Sequence, residues 1–375
     1  MAENLSPISP SRRNFLSAGT GALAAAVAVS QAASALAAPA PTSALPQSST
    51  PARRIPIGVF DPVFEKLSLD AMIEKITAMG IEAVEIGTGG YPGAPHCPVQ
   101  ELLDDSGKLR AWKKKFSDHN IQVATLSCHG NPLHPDAKVA QRDAEVFRRT
   151  VLLAEKLDVK VIVGFSGCPG GSPTDTMPNW STFRWPPEFG QVLDWQWKER
   201  VIPYWKQAAR FAREHGIHQL AFEMIPNMVV YSPKTLLQLR EAIGEEIGAN
   251  CDLSHLFWQG CDAVEVIHLL GKHNALFHAH MKDTVMFENN VARYGVLNFP
   301  PDGHDLSQAS ETFRAVGYGH SANTWKEIVK AYMDVGYQGI LSIENEDPTL
   351  PGEVGVERAV YVLKNVRSEL LGADA

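Results

Sequence analysis

Eight short apolar runs rich in β-branched residues recur along the chain, and segments with helical spacing of apolar residues lie between them. The runs span residues 55–60, 83–87, 123–127, 159–165, 219–224, 248–252, 276–281 and 339–344. The helical segments include residues 67–79, 146–156, 204–215, 235–243, 263–270, 325–335 and 355–363. This alternation predicts an α/β fold in which eight parallel strands and their crossover helices close into a (β/α)8 barrel. An open doubly wound sheet is the alternative, but no Gly-x-Gly-x-x-Gly motif follows the first run.

The composition is that of a globular protein and excludes several functional classes. The chain has 375 residues, of which 45% are hydrophobic and 20% charged, so its length suits one large α/β barrel or two ordinary domains, and no second domain is evident in the sequence. Five Cys are too few for a disulfide scaffold. The formal net charge of -8 and the absence of a long basic run argue against nucleic-acid binding.

The first residues are interpreted as an export signal. Arg12-Arg13-Asn14-Phe15-Leu16 precedes an uncharged stretch, residues 18–38, and resembles a twin-arginine signal peptide. We expect cleavage after Ala37, which divides the chain into a signal peptide (1–37), a flexible leader (38–54) and the barrel domain (55–375). This predicts recognition by the twin-arginine export machinery and a periplasmic protein without a stable membrane anchor. A transmembrane anchor is the alternative, but the stretch is rich in Ala and poor in Leu and Ile.

Two predicted connections are longer than ordinary loops. Residues 166–196 follow the fourth strand, and residues 284–323 follow the seventh. Long loops at the carboxyl ends of barrel strands commonly cover an active site. The first of them contains four aromatic side chains, Trp180, Phe183, Trp185 and Trp195. Exposed Trp rings stack on sugars, so Trp185 is a candidate for substrate binding; packing within the loop or a contact between subunits is the alternative.

Ionisable residues fall at the ends of four consecutive predicted strands. Glu223 ends the fifth strand, Asp252 the sixth and Glu344 the eighth, while His278 and His280 end the seventh. Such side chains converge above the barrel axis. Because unpaired buried charges are costly, a divalent ion such as Mn, Co, Mg or Zn is the simplest neutraliser. His278 and His280 point to the same side of a strand, so either can be the ligand.

Further side chains near the strand ends are candidates for contact with a substrate. His129 ends the third predicted strand and Glu85 ends the second. His320 follows a glycine in the long loop after the seventh strand. Each of these has a purely structural role as its alternative. Lys282 lies two residues beyond His280, so it is a candidate to stabilise a negatively charged oxygen, with a salt bridge as the alternative.

The residues around these positions resemble the motifs of the xylose isomerase-like TIM barrel superfamily. This superfamily, often called sugar phosphate isomerases/epimerases, shares its barrel with endonuclease IV of AP endonuclease family 2. The matching segments are Phe222-Glu223-Met224, Cys251-Asp252-Leu253-Ser254-His255, His278-Ala279-His280-Met281-Lys282-Asp283 and Ile343-Glu344-Asn345-Glu346-Asp347. The resemblance covers residues 55–368. It implies one divalent ion bound by Glu223, Asp252, His280 and Glu344, and contact between His255 and substrate.

The resemblance also implies a reaction. In related ketose epimerases the two metal-binding glutamates move the proton, which makes Glu223 and Glu344 the candidate catalytic residues. The expected function is a metal-dependent isomerase or epimerase that acts on a small carbohydrate through an enediolate. A periplasmic lyase or hydrolase of 3-keto glycosides and a non-catalytic carbohydrate-binding barrel are the alternatives. Relatives often form oligomers, so a homo-oligomer is an expectation by analogy alone.

Overall fold

The computed structural model describes residues 54–298 and 305–372. The predicted signal peptide and residues 38–53 of the predicted leader lie outside the described residues. Eleven strands occur in the described ranges: β1 (Ile57–Phe60), β2 (Ala83–Gly87), β3 (Gln122–Ser127), β4 (Val161–Gly164), β5 (Gln219–Glu223), β6 (Ile247–Asn250), β7 (Leu276–His278), β8 (His280–Met281), β9 (Asp283–Met286), β10 (Glu311–Arg314) and β11 (Leu341–Ile343).

Twelve α-helices lie between and after these strands in the same ranges. They are α1 (Leu69–Ala78), α2 (Val99–Asp104), α3 (Ser106–Ser117), α4 (Ala137–Leu157), α5 (Pro187–Trp195), α6 (Ile202–Glu214), α7 (Pro233–Ile243), α8 (Ser254–Phe257), α9 (Ala263–Lys272), α10 (Glu288–Tyr294), α11 (Ala322–Asp334) and α12 (Gly352–Leu371). A 3-10 turn, Asp61–Phe64, follows β1, and a π-helical segment, Gln196–Val201, joins α5 to α6. No helix in these described ranges is long and apolar enough to span a membrane.

The parallel sheet closes on itself through the two halves of one strand. Its order is β7-β6-β5-β4-β3-β2-β1-β11-β8, and all pairs are parallel. β7 and β8 stand at the two ends of this order, although only Ala279 separates them in the chain. Together they form the seventh barrel strand, and β11 is the eighth. The predicted (β/α)8 TIM barrel is therefore confirmed.

The hydrophobic core lies between the barrel and its layer of helices. Helix α11 shows how the sequence produces this packing, since Trp325, Ile328, Val329 and Tyr332 recur at helical spacing and are buried. The Ser321 side chain accepts a hydrogen bond from the Thr324 backbone N–H and so caps the helix. Packing of this kind fixes the strand ends, which carry the polar side chains described below.

Several helical and strand bounds differ from the predicted ones. No bounds were predicted for the crossover helix between β2 and β3, where the structure has α2 and α3; α3 is mostly polar and buries only Trp112 and Phe116. Helix α4 begins nine residues before the predicted segment because Asp136 caps it, accepting a hydrogen bond from the Lys138 N–H. The long connection after β4 contains α5, and the one after the seventh barrel strand contains α10 and the antiparallel pair β9–β10.

Candidate metal centre

Polar side chains fill the barrel interior in two layers near the carboxyl ends of the strands. The lower group consists of Glu85 and His278, with the hydroxyl groups of Ser127 and Ser342. The upper group consists of Glu223, Asp252, His280 and Glu344. Both layers follow from strand alternation, because His278 and His280, like Ser342 and Glu344, are two residues apart.

The upper group has the donor set and the spacing of a site for one divalent ion. His280 Nδ1 lies 3.0 Å from Glu344 Oε2, 3.4 Å from Glu223 Oε2 and 3.9 Å from Asp252 Oδ2. Two ligand atoms of one ion are at most about 4.2 Å apart, which is twice a bond of about 2.1 Å. All three distances satisfy this limit. Three carboxylates and one imidazole suit a hard or borderline divalent cation, so the residues fit the ion that the sequence predicts.

Glu223 is held as a charged carboxylate by three donors. His255 Nε2 lies 3.1 Å from its Oε1, while His129 Nε2 and Asn250 Nδ2 lie 3.2 Å and 3.1 Å from its Oε2. Burial raises the pKa of Glu223, but the hydrogen bonds from His129, His255 and His280 outweigh it and hold this pKa well below 4.5. The group is therefore ionised at neutral pH, as a metal ligand or a base must be.

Glu344 is the most accessible carboxylate of the upper group, with 15% of its side chain exposed. Burial raises its pKa, but the positive charges of His280 and Lys282 outweigh burial and lower the pKa to about 2. Lys282 Nζ lies 2.5 Å from Glu344 Oε2, and it also contacts Asp252 and Glu346. The salt bridge that the sequence offered as the alternative for Lys282 is thus present.

The lower group satisfies its own hydrogen bonds. Glu85 accepts from His278 Nε2 at 2.7 Å, from His280 Nε2 at 3.0 Å and from Ser342 Oγ at 2.6 Å, and Ser127 Oγ also donates to it. Because a carboxylate can only accept, the Nε2 atom of His280 donates to Glu85, while its Nδ1 faces the carboxylates of the upper group. The structure therefore brings His280, and not His278, to the three upper carboxylates. The prediction that Glu85 contacts a substrate needs correction, because this residue is fully buried and lies beneath the site.

A pocket of about 460 Å³ opens above the upper group. Five predicted site residues line it: His129, Glu223, His255, Lys282 and Glu344. Asp252 and His280 are fully buried and lie in its floor as members of the upper group. Apolar walls come from Phe60, Phe165 and Phe313, with Phe60 stacked 5.6 Å from the His280 ring and Phe313 edge-on to the His255 ring at 5.3 Å. A pocket of this size accommodates a small polar molecule.

His320 is placed in the loop wall and does not line this pocket. Its Nδ1 lies 2.7 Å from Asp283 Oδ1, and its ring packs 4.1 Å from that of Phe257. Asp283 is the centre of this loop, since its Oδ2 also accepts hydrogen bonds from the backbone N–H groups of Gly317, Gly319 and His320 and from Trp325 Nε1. Burial raises the pKa of Asp283, but these bonds outweigh it and lower the pKa. A structural role for His320 is therefore the one that its contacts show.

The aromatic residues after β4 divide into packed and exposed ones. Trp180 Nε1 donates to the Met228 carbonyl oxygen at 3.0 Å, and its ring packs edge-on to Tyr231. Trp185 is 77% exposed and is not part of the pocket lining. Sequence reasoning thus placed both residues in the correct loop, and the substrate contact proposed for Trp185 stays a prediction.

Several polar or aromatic residues of the site were missed by sequence reasoning, among them Asn250, Glu346 and Phe313. Asn250 Nδ2 lies within 3.1 Å of both Glu223 Oε2 and His280 Nδ1, and Glu346 binds Lys282. Both could have been found from alternation, since each is two residues from a predicted ligand on the same strand or strand end. Phe313 gives no such signal, because it reaches the site through the β9–β10 pair.

Comparison with known proteins places these residues in a family context. A family model described as a xylose isomerase-like TIM barrel matches residues 73–366. The chain is 34% identical over 305 residues to the uncharacterized protein YfiH of Bacillus subtilis (strain 168), and the match covers 81% of this chain and 96% of YfiH.

Solved structures with low sequence identity share the same fold. A D-tagatose 3-epimerase-like protein is 19% identical, with a TM-score of 0.55 and coverage of 84% of this chain and 99% of that one. The probable 3-DHS dehydratase AsbF of Bacillus anthracis is 14% identical, with a TM-score of 0.58 and coverage of 83% and 99%. A xylose isomerase-like TIM barrel protein of Mycobacterium smegmatis, solved in complex with magnesium, is 14% identical, with a TM-score of 0.57 and coverage of 86% and 99%. At these identities the likeness establishes the fold alone.

Proposed function

The chain belongs to the xylose isomerase-like TIM barrel family, and from this premise we propose that it is a divalent-metal-dependent sugar isomerase or epimerase. The observation that carries the proposal is the convergence of three carboxylates and His280 Nδ1 on one point at the floor of an open pocket. The names of an epimerase-like and a magnesium-bound neighbour agree with it.

Glu223, Asp252, His280 and Glu344 would hold the metal ion. Such an ion, when bound, acts as a Lewis acid that acidifies the C–H bond next to a sugar carbonyl. The protein contributes a fixed donor set, because the Glu85 carboxylate accepts the Nε2 proton of His280 and so orients its Nδ1. Burial lowers the pKa of His280, but the charges of Glu344 and Glu85 outweigh burial and raise this pKa well above 6.5, so Nδ1 would release a proton when an ion binds.

Glu223 and Glu344 are proposed to move the proton. A carboxylate oxygen of one takes the proton from the carbon next to the carbonyl, and the electron pair of the broken C–H bond forms an enediolate. Return of a proton to the opposite face of the same carbon, taken up from water by the second carboxylate, gives the epimer. Return of the abstracted proton to the neighbouring carbon, with transfer of a hydroxyl proton between the two oxygens, gives the isomer. Both carboxyl groups have a lowered pKa, so both start as bases at neutral pH.

Other residues of the pocket lining are proposed to orient the sugar. His129 and His255 each present a ring edge to Glu223 and lie in the pocket wall, where they can bond to hydroxyl groups. Phe60, Phe165 and Phe313 supply apolar faces that exclude water from the reacting carbon. The pocket lining therefore has both polar and apolar surface, which is complementary to the hydroxyl groups and C–H faces of a sugar.

A lyase acting on 3-keto glycosides is a second candidate for the same site. Elimination starts with the same proton abstraction, and the carbanion then expels a leaving group in the β position. The predicted twin-arginine signal peptide favours the lyase, because an exported protein meets glycosides outside the cytoplasm before their uptake. A probable dehydratase among the structural neighbours shows that this barrel also occurs in a protein named for an elimination. The periplasmic location that we propose rests on this predicted signal peptide alone.

The test combines metal content with proton exchange. Wild-type protein, Glu344→Gln and His280→Ala are analysed by elemental mass spectrometry, with Glu327→Gln on the exposed side of α11 as the matched control. We expect about one equivalent of a divalent ion in the wild type and the control, and a clear loss in the two site variants. Ketoses and 3-keto glycosides are then incubated with each protein in deuterated water.

The outcomes separate the candidate functions. Deuterium incorporation into a ketose with retention of its carbon skeleton supports the isomerase or epimerase, and release of an aglycone supports the lyase. For Glu344→Gln we expect a rate lower by about 10²–10⁴-fold. Bound metal and bound sugar without any exchange would instead identify a carbohydrate-binding barrel. Absence of metal after addition of Mn, Co, Mg and Zn would contradict the proposal.

A further inference from the structure

Lys282 is a buried ammonium group surrounded by acidic side chains. Its side chain is 2% exposed, and its Nζ lies 2.5 Å from Glu344 Oε2 and 3.0 Å from Asp252 Oδ2. The third carboxylate is that of Glu346, whose Oε2 lies 2.8 Å away. Nζ also lies 4.7 Å from the centre of the Phe313 ring. The ammonium group donates hydrogen bonds to Glu344 and Glu346, whereas Asp252 Oδ2 is an ion-pair partner that accepts no hydrogen bond from the residues that the structure describes.

Two of these three oxygens are also potential metal ligands. Glu344 Oε2 and Asp252 Oδ2 are the same atoms that lie 3.0 Å and 3.9 Å from His280 Nδ1. An ion bonded to both oxygens would stand close to Nζ, in a site that excludes most water. Like charges at such a separation repel strongly when solvent does not screen them. The ammonium and a divalent ion therefore compete for the same pair of oxygens.

We propose that the Lys282 ammonium is an internal counter-ion of the metal centre, and that a divalent ion displaces it from Asp252 and Glu344 on binding. This inference rests on the proposed metal-dependent function. Glu346 offers the displaced ammonium a partner outside the ligand group, since 52% of its side chain is exposed at the rim of the pocket. The four-carbon stem of a lysine allows its head to move in this way.

The exchange has two consequences for the protein. Without metal, Lys282 compensates part of the negative charge of the upper group, which stabilises the fold. With metal, the ammonium is left in the pocket beside Glu346, where it can face an oxygen of the substrate. Lys282 thus lowers the affinity for the ion and stabilises the metal-free protein at the same time.

The experiment measures Mn²⁺ affinity and thermal stability in Lys282→Met, which keeps an unbranched side chain one atom shorter and removes its charge. The matched control is Lys326→Met, because Lys326 pairs with Glu369 on the surface, away from the site. By calorimetry at one fixed pH, we expect Lys282→Met to bind Mn²⁺ about tenfold more tightly than the wild type. We also expect its thermal midpoint without metal to be lower, and its rise on adding Mn²⁺ to be larger.

Each result decides the inference. Equal or weaker Mn²⁺ binding by a folded Lys282→Met would overturn it, as would an equal tightening in Lys326→Met. If Lys282→Met is too unstable without metal for titration, the rise of its thermal midpoint with Mn²⁺ replaces the affinity, and a rise no larger than that of the wild type overturns the inference. Failure of the proposed function looks different, because then neither the wild type nor the variant binds Mn²⁺.

Discussion

The upper and lower groups of Glu and His side chains lie in adjacent layers of the barrel, and they differ in charge balance. In the lower group one carboxylate, Glu85, faces the imidazole rings of His278 and His280 and two serine hydroxyls. In the upper group three carboxylates face His280, which also contacts the lower group, and two of them pair with Lys282. Both groups have the spacing to hold a metal ion.

The difference shows what distinguishes a binding site from its support. Glu85 is enclosed and receives hydrogen bonds from four donors, so an ion would have to break an arrangement that is already satisfied. The upper group has more negative than positive charge and opens into the pocket. The upper group therefore differs from the lower group in its excess negative charge and its access from the pocket, rather than in the types of residue it contains.

Removing the lower carboxylate tests whether that layer supports the upper one. We expect Glu85→Gln to lower the free energy of unfolding by about 3 kcal/mol, because it removes the buried negative charge and puts an N–H donor in place of one of the two oxygens that accept from His278, His280 and the serines. Metal affinity should fall by about 10–100-fold, since His280 loses the partner that orients it. Chemical denaturation and metal titration check both values. The control is Glu82→Gln. Glu82 lies directly before β2 and pairs with Arg367, so this variant should lose an ion pair without a change in metal affinity.

Acid titration sharpens the comparison for Glu344. Its pKa of about 2 in the folded protein is lower than the ordinary value of 4.5. The stability from this shift is therefore fully present above pH 4.5 and is lost as the pH falls through about 2. In metal-free protein, the thermal midpoint of Glu344→Gln should decline less steeply over this window than that of the wild type. Parallel curves for the two proteins would contradict the charge assignment.

The smallest effect is expected in the long loop after β4, at a residue outside the pocket lining. Trp185→Ala should change the free energy of unfolding by less than about 0.5 kcal/mol, because this side chain is 77% exposed. Its effect on KM for a sugar substrate should be similarly small. Trp180→Ala, which loses a hydrogen bond and a ring contact, is the destabilising control. A large rise in KM for Trp185→Ala alone would show that the loop after β4 closes over the pocket.

Much of the barrel and of the upper group could be predicted because both depend on local periodicity. Strands of a parallel barrel end on the same side, so Glu223, Asp252 and Glu344 meet without any knowledge of register. The choice between His278 and His280 depended on depth instead. Depth follows from the stagger of neighbouring strands, and β2 and β3 shift register between Val84 and Glu85. A sequence read strand by strand contains no signal for that shift, and this is why Glu85 was assigned to the substrate.

Other features depend on contacts between distant residues. The β9–β10 pair joins Thr284 to Phe313 across a long loop, and it is this pairing that brings Phe313 to His255 and Lys282. Helix α3 escaped prediction for a different reason. It turns only two large apolar side chains towards the core, which is too weak a pattern to separate it from a polar loop.

Asp283 anchors the long loop after the seventh barrel strand next to the upper group. Its carboxylate gathers three backbone N–H groups, the His320 ring and the Trp325 ring at the point where the loop returns to the barrel. The return point is therefore held by one residue next to Lys282, through its contacts with the last part of the loop, residues 317–320. We therefore expect the outer part of this loop to tolerate substitution while Glu223, Asp252, His280 and Glu344 keep their positions.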